Sequence, residues 1–114
     1  MTVAQHLLLV VHSGGETTPH LVEADADLPQ LAVMDVAATR GDGIFETLSV
    51  SFGHPQALDA HLSRFERSAH MLDLPVLDRG VWRDAILAVA ERLAEYEESW
   101  IKTVLSRGIE GQPL

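Results

Sequence analysis

The chain has 114 residues, a formal net charge of −9 and no cysteine. That length suits one domain with a modest core. The acidic balance argues against nucleic-acid backbones and anionic membrane surfaces, which need clustered Lys and Arg, and the missing cysteine removes disulfides, a thiolate nucleophile and thiolate metal sites.

The first element in chain order is His6 to His12, an apolar run ended by Ser13-Gly14-Gly15, which reads as a buried strand. Its longest apolar part, Leu7 to Val11, is too short to span a bilayer. No basic region precedes it, so no signal peptide is expected and the cytoplasm is the expected compartment. Thr17 to Ala24 reads as a second strand, paired with the first as a hairpin. Asp25 to Pro29 is acidic loop, and Leu31 to Met34 a short strand or strand-like approach to the turn Gly41-Asp42-Gly43.

From Gly43 to Phe52 the period is two. Ile44, Glu46, Leu48 and Val50 point one way, and Phe45, Thr47 and Ser49 the other. Phe52 to Gln56 is a turn. Leu58, Leu62, Phe65, Ala69 and Leu72 then repeat at helical spacing, which predicts a helix over Ala57 to Leu72. His61, Arg64 and Ser68 fall on an adjacent face. Pro75 stops this helix. A second helix is predicted from Arg79 to Glu97, with Asp78 as N-cap and Trp82, Ile86, Val89, Leu93 and Tyr96 as its apolar stripe. Trp100 to Arg107 is the last strand. Strands, two helices and a strand predict an α+β two-layer sandwich, a mostly antiparallel sheet with two helices on one face.

The histidines show no His-x-x-x-His or comparable ligand pair, so no metal site is expected. Arg40-Gly41-Asp42 spells an integrin-binding tripeptide, a coincidence in an acidic chain without cysteine.

Gly41-Asp42-Gly43-Ile44-Phe45-Glu46-Thr47, then His61-Leu62-Ser63-Arg64-Phe65, then Ser68-Ala69 resembles the N-terminal signature of the class IV aminotransferases. These are fold-type-IV pyridoxal-phosphate enzymes: branched-chain and D-amino-acid aminotransferases and 4-amino-4-deoxychorismate lyases. The resemblance covers nearly the whole chain but only the first part of such a protein. It implies the small N-terminal domain, residues 1–114, with an interdomain linker starting at 108–114, pyridoxal 5′-phosphate as cofactor, a homodimer, and an amino acid or aminodeoxychorismate as substrate.

The same resemblance assigns Arg64 to the cofactor phosphate, and a planar guanidinium suits that task. It places Phe45 and Thr47 on the substrate side. His61 is either an orienting partner for the guanidinium or a packing residue. At Ser49, branched-chain aminotransferases tend to carry arginine. Lys102 is the only lysine. The stretch Trp100-Ile101-Lys102 with Leu105-Ser106-Arg107-Gly108 resembles a strand that supplies a basic residue to the substrate carboxylate, with Arg107 assisting or flanking the exit. The resemblance puts the Schiff-base lysine beyond Leu114, so the chain alone is expected to be inactive and to expose an apolar patch. The expected parent activity is pyruvate elimination giving 4-aminobenzoate, for folate synthesis, or amino transfer to a 2-oxo acid. A stand-alone α+β module that binds a ligand or a protein without catalysis is the alternative.

Overall fold

A computed structural model of the chain describes residues 8–12 and 20–109. β1 (Leu8–His12) and β2 (His20–Ala24) pair antiparallel as a two-stranded ribbon, with Val10 opposite Val22. The turn expected between them, and the start of the second strand at Thr17, lie outside the described residues.

The expected strand at Leu31 to Met34 is instead a turn leading into a short helix, α1 (Val36–Arg40). Asp35 decides this. Its backbone is extended, and its carboxylate accepts from the Ala37 amide at 2.9 Å, satisfying an orphan donor of the first turn. Asp35 also accepts from the Ser106 hydroxyl, and the Val36 amide donates to the Gly108 carbonyl at 2.8 Å. Gly108 and Ile109, where the linker was expected to begin, are therefore bonded to the start of α1. Residues 110–114 lie outside the described residues.

The two glycines of Gly41-Asp42-Gly43 do different work. Gly41 closes α1 at φ +65°, and its amide donates to the Ala37 carbonyl. Gly43 opens β3 (Gly43–Ser51), where a Cβ would lie 2.8 Å from the Leu105 carbonyl oxygen on the facing strand. Gly43→Ala must push those strands apart and is expected to cost about 1–3 kcal/mol. Gly41→Ala meets no atom within 4 Å and bears only the left-handed backbone, about 1 kcal/mol. Urea midpoints of the two variants check this order, and the reverse order would mean that the turn matters more than the close approach.

β3, β4 (His54–Pro55) and β5 (Ser99–Ser106) form an antiparallel sheet in the order β4-β3-β5. β3 and β5 pair from Gly43 opposite Ser106 to Val50 opposite Ser99, with Glu46 opposite Thr103 and Thr47 opposite Lys102. Phe52 and Gly53, both at positive φ, turn the chain from β3 to β4, in the sense that matches strand twist. β4 pairs only at Val50 and Ser51, so β4 leaves the Ile44 to Leu48 edge of β3 unpaired.

α2 (Leu58–Met71) and α3 (Arg79–Glu91) cover one face of this sheet. Leu62, Phe65 and Ala69 from α2 meet Trp82, Ile86 and Ala90 from α3 over Ile44, Leu48, Val50 and Ile101. Asp78 caps α3 as predicted, accepting from the Val81 amide at 3.2 Å. α3 ends at Glu91 rather than Glu97. Arg92 and Leu93 bond to carbonyls three residues back, and Glu95, Glu97 and Glu98 would sit unfavourably at the negative end of a longer helix. The fold is thus α+β with antiparallel sheets, as expected, and among the described residues carries three helices instead of two. Among the described residues no helix is long and apolar enough to cross a membrane.

Candidate functional site

The alternation of β3 builds two different faces. Ile44, Glu46, Leu48 and Val50 point into the helix layer and are buried, while Phe45, Thr47 and Ser49 point out. Glu46 is the exception in an aliphatic register: a carboxylate only 7% exposed. Burying such a group is costly unless it is paired and hydrogen-bonded. α2 supplies the partners one turn apart. Arg64 donates from Nε to both carboxylate oxygens at 3.0 and 2.9 Å, and from Nη2 at 2.8 Å. His61 Nδ1 lies 2.8 Å from Oε1, and as neighbour to a carboxylate this nitrogen carries the proton. Arg64's hydrogen bonds hold the Glu46 carboxyl below its ordinary range against the opposite push of burial, and His61 adds to the lowering. Glu46 in turn raises the Arg64 pKa.

Arg64 nonetheless reaches water, with its side chain 59% exposed. Its Nε and Nη2 are taken by Glu46, and Nη1 has no partner among the described residues. Sequence reasoning singled out Arg64 and left Glu46 among the aliphatics. The signal was present: an acid at a core position of β3, with His and Arg one turn apart on the next helix.

The outer face carries Phe45, Thr47 and Lys102. Lys102 Nζ lies 4.7 Å from the centroid of the Phe45 ring, within cation–π range. Beside them is an open depression of about 280 Å³, lined by Ala37, Gly41, Gly43, Ile44, Phe45, Lys102 and Val104. Thr47 lies opposite Lys102 in the register but does not line this depression. Phe45, Trp100 and Val104 are 61%, 66% and 53% exposed, which makes the expected apolar patch.

Arg107 is placed elsewhere. It donates from Nε to Asp42 at 2.8 Å, from Nη1 to the Asp73 carbonyl at 3.4 Å and from Nη2 to the Leu72 carbonyl. All three nitrogens are engaged within the chain. Arg107 joins the Gly41-Asp42-Gly43 turn to the carbonyls of Leu72 and Asp73, just past the C-terminal end of α2, where a cation is favoured. The structure therefore brings Phe45 and Lys102 together with the motif glycines. It sets Arg64 on the helix side of the sheet and Arg107 in a clasp. Among the described residues no group of three His, Asp or Glu side chains could hold a metal.

Comparison with known proteins agrees with this architecture. Residues 43–113 match the family described as amino-transferase class IV. The chain is 41% identical over 86 residues to the bifunctional aminodeoxychorismate lyase / D-amino acid transaminase of Mycobacterium tuberculosis (strain ATCC 25618 / H37Rv), covering 74% of this chain and 30% of that protein. Among solved structures, the fold IV-transaminase CpuTA1 from Curtobacterium pusillum is 48% identical with a TM-score of 0.76, over 81% of this chain and 33% of that one. A hypothetical aminotransferase from Mycobacterium tuberculosis in PLP-bound form is 39% identical with a TM-score of 0.75, over 80% and 33% of the two chains. The chain thus spans about a third of the length of these relatives. With the family model matched over more than half its residues, the chain belongs to the amino-transferase class IV family.

Proposed function

We propose that these residues form the small-domain half of a pyridoxal-phosphate site whose substrate is a carboxylate-bearing amine. The reading joins two activities named for one relative, aminodeoxychorismate lyase and D-amino acid transaminase. The observation that carries it is Lys102 over Phe45 beside the open depression. An ammonium there suits a substrate carboxylate, and the Phe45 ring supplies an apolar wall. Thr47 flanks this wall.

The donor set also fits the cofactor's phosphate. Arg64 offers a half-exposed guanidinium whose Nη1 edge is unclaimed among the described residues, matched to an oxyanion. Pyridoxal phosphate, when bound, supplies an electron sink for a carbanion at the substrate α-carbon. The chain's own residues then hold rather than react: Arg64 anchors an anion, Lys102 orients a carboxylate, and Phe45 excludes water from one side. Arg107 acts indirectly, by fixing the turn that forms the depression's rim. The lysine that bonds the cofactor is assigned to sequence outside these residues, and the remainder of the chain to the open face of Phe45, Trp100 and Val104, within a cytoplasmic homodimer.

Incubation with stoichiometric pyridoxal phosphate, borohydride reduction and peptide mapping test this. Lys102 is the only lysine, so the readout is simple. No saturable adduct at Lys102 is expected. Stoichiometric labelling there would make Lys102 the covalent residue and remove its assignment as a carboxylate binder.

A further inference from the structure

We infer that Glu46, assisted by His61, is a positioning residue that presents the Nη1 edge of Arg64 to an anion. This rests on the anion-binding reading of Arg64. Three observations lead to it. Glu46 occupies a place in β3 equivalent to those that Ile44, Leu48 and Val50 fill with aliphatic side chains, so apolar packing against the helices gives no reason for a carboxylate there. Its contact with Arg64 is side-on through Nε and Nη2, which fixes the plane of the guanidinium and leaves the opposite edge. Arg64 remains mostly in water, so the pair is not a closed structural bridge of the interior.

An exposed arginine samples many rotamers and loses that freedom when it grips a ligand. Glu46 imposes the loss at folding, before any ligand arrives. His61 also holds the carboxylate, at 2.8 Å from the same Oε1 that takes Arg64 Nη2. Charge alone works in the other direction: the carboxylate offsets the positive field that an anion would feel. The two effects therefore predict opposite signs for one substitution.

The test uses the whole chain, with inorganic phosphate as probe. Glu46→Gln keeps the shape and removes the charge. Phosphate affinity is expected to fall about fivefold as the guanidinium loses its orientation. Affinity unchanged or raised in Glu46→Gln, with Arg64→Ala weakened, would overturn the positioning role alone. Equal affinity in Arg64→Ala and the wild type, or no saturable binding by the wild type, would overturn the anion reading as well. A second measurement needs no variant. Nitrogen relaxation of the Arg64 Nε–H in the wild type should report a rigid group, against a mobile Arg67 Nε–H on the exposed side of the same helix. Equal mobility of the two would sink the proposal.

Discussion

Phe65→Ala is expected to lower the unfolding free energy by about 3–5 kcal/mol, enough to leave a domain of this size marginal. Phe65 is 1% exposed at the centre of the helix-covered face. Its ring meets Trp82 edge-on at 5.0 Å between centroids, an arrangement worth about 0.5–1.5 kcal/mol beyond area burial. Truncation opens a cavity among Leu48, Leu62 and Ile86 that rigid neighbours cannot fully close. The effect reaches the site because Phe65 follows Arg64 on α2. The aromatic anchor sets the helix height that lets Arg64 and His61 both reach Glu46. Urea denaturation should show a lower midpoint with an unchanged slope. A loss under about 1 kcal/mol would mean that α2 is held mainly by its ion pairs with α3, such as Arg83 to Asp59 at 2.7 Å.

Local periodicity made β3, α2 and β5 readable, because each buries one face against one layer. The Asp78 cap was readable for the same reason, as its signal lies within four residues. α1 was not. Five residues rich in alanine have no stripe, and what makes them helical is the Asp35 cap before them and Gly41 after them. The end of α3 was overextended because Leu93 and Tyr96 continue the apolar spacing. In the fold the Tyr96 carbonyl accepts instead from the Phe52 amide at 2.8 Å, a contact no local pattern announces. The site divides likewise. Phe45 and Lys102 came from strand alternation and a family motif. The Arg107 clasp depends on an aspartate 65 residues away, and the role of Glu46 on how α2 lies over β3.

Acid titration of three proteins separates what Glu46 does for stability from what it does for Arg64. The folded-state pKa of Glu46 is depressed from 4.5, chiefly by Arg64. Its stabilising contribution is therefore complete above the unfolded value and is lost as pH falls through the depressed folded value. Arg64→Met removes the main partner and leaves a buried carboxylate with His61 alone. That variant should be clearly less stable than the wild type at about pH 7, where the unpaired carboxylate is ionised, and should recover relative to it on acidification, as a neutral carboxyl needs no cation. Glu46→Leu removes the buried charge and extends the aliphatic register of β3. It should stay within about 1 kcal/mol of the wild type at neutral pH and show a flatter acid limb. Chemical denaturation of the three proteins across this pH range reads both effects. A Glu46→Leu variant as unstable as Arg64→Met would mean that the ion pair itself holds β3 to α2. If the aliphatic side chain is tolerated, stability does not explain a carboxylate at this position, which is the result that the proposed aiming of the Arg64 guanidinium requires.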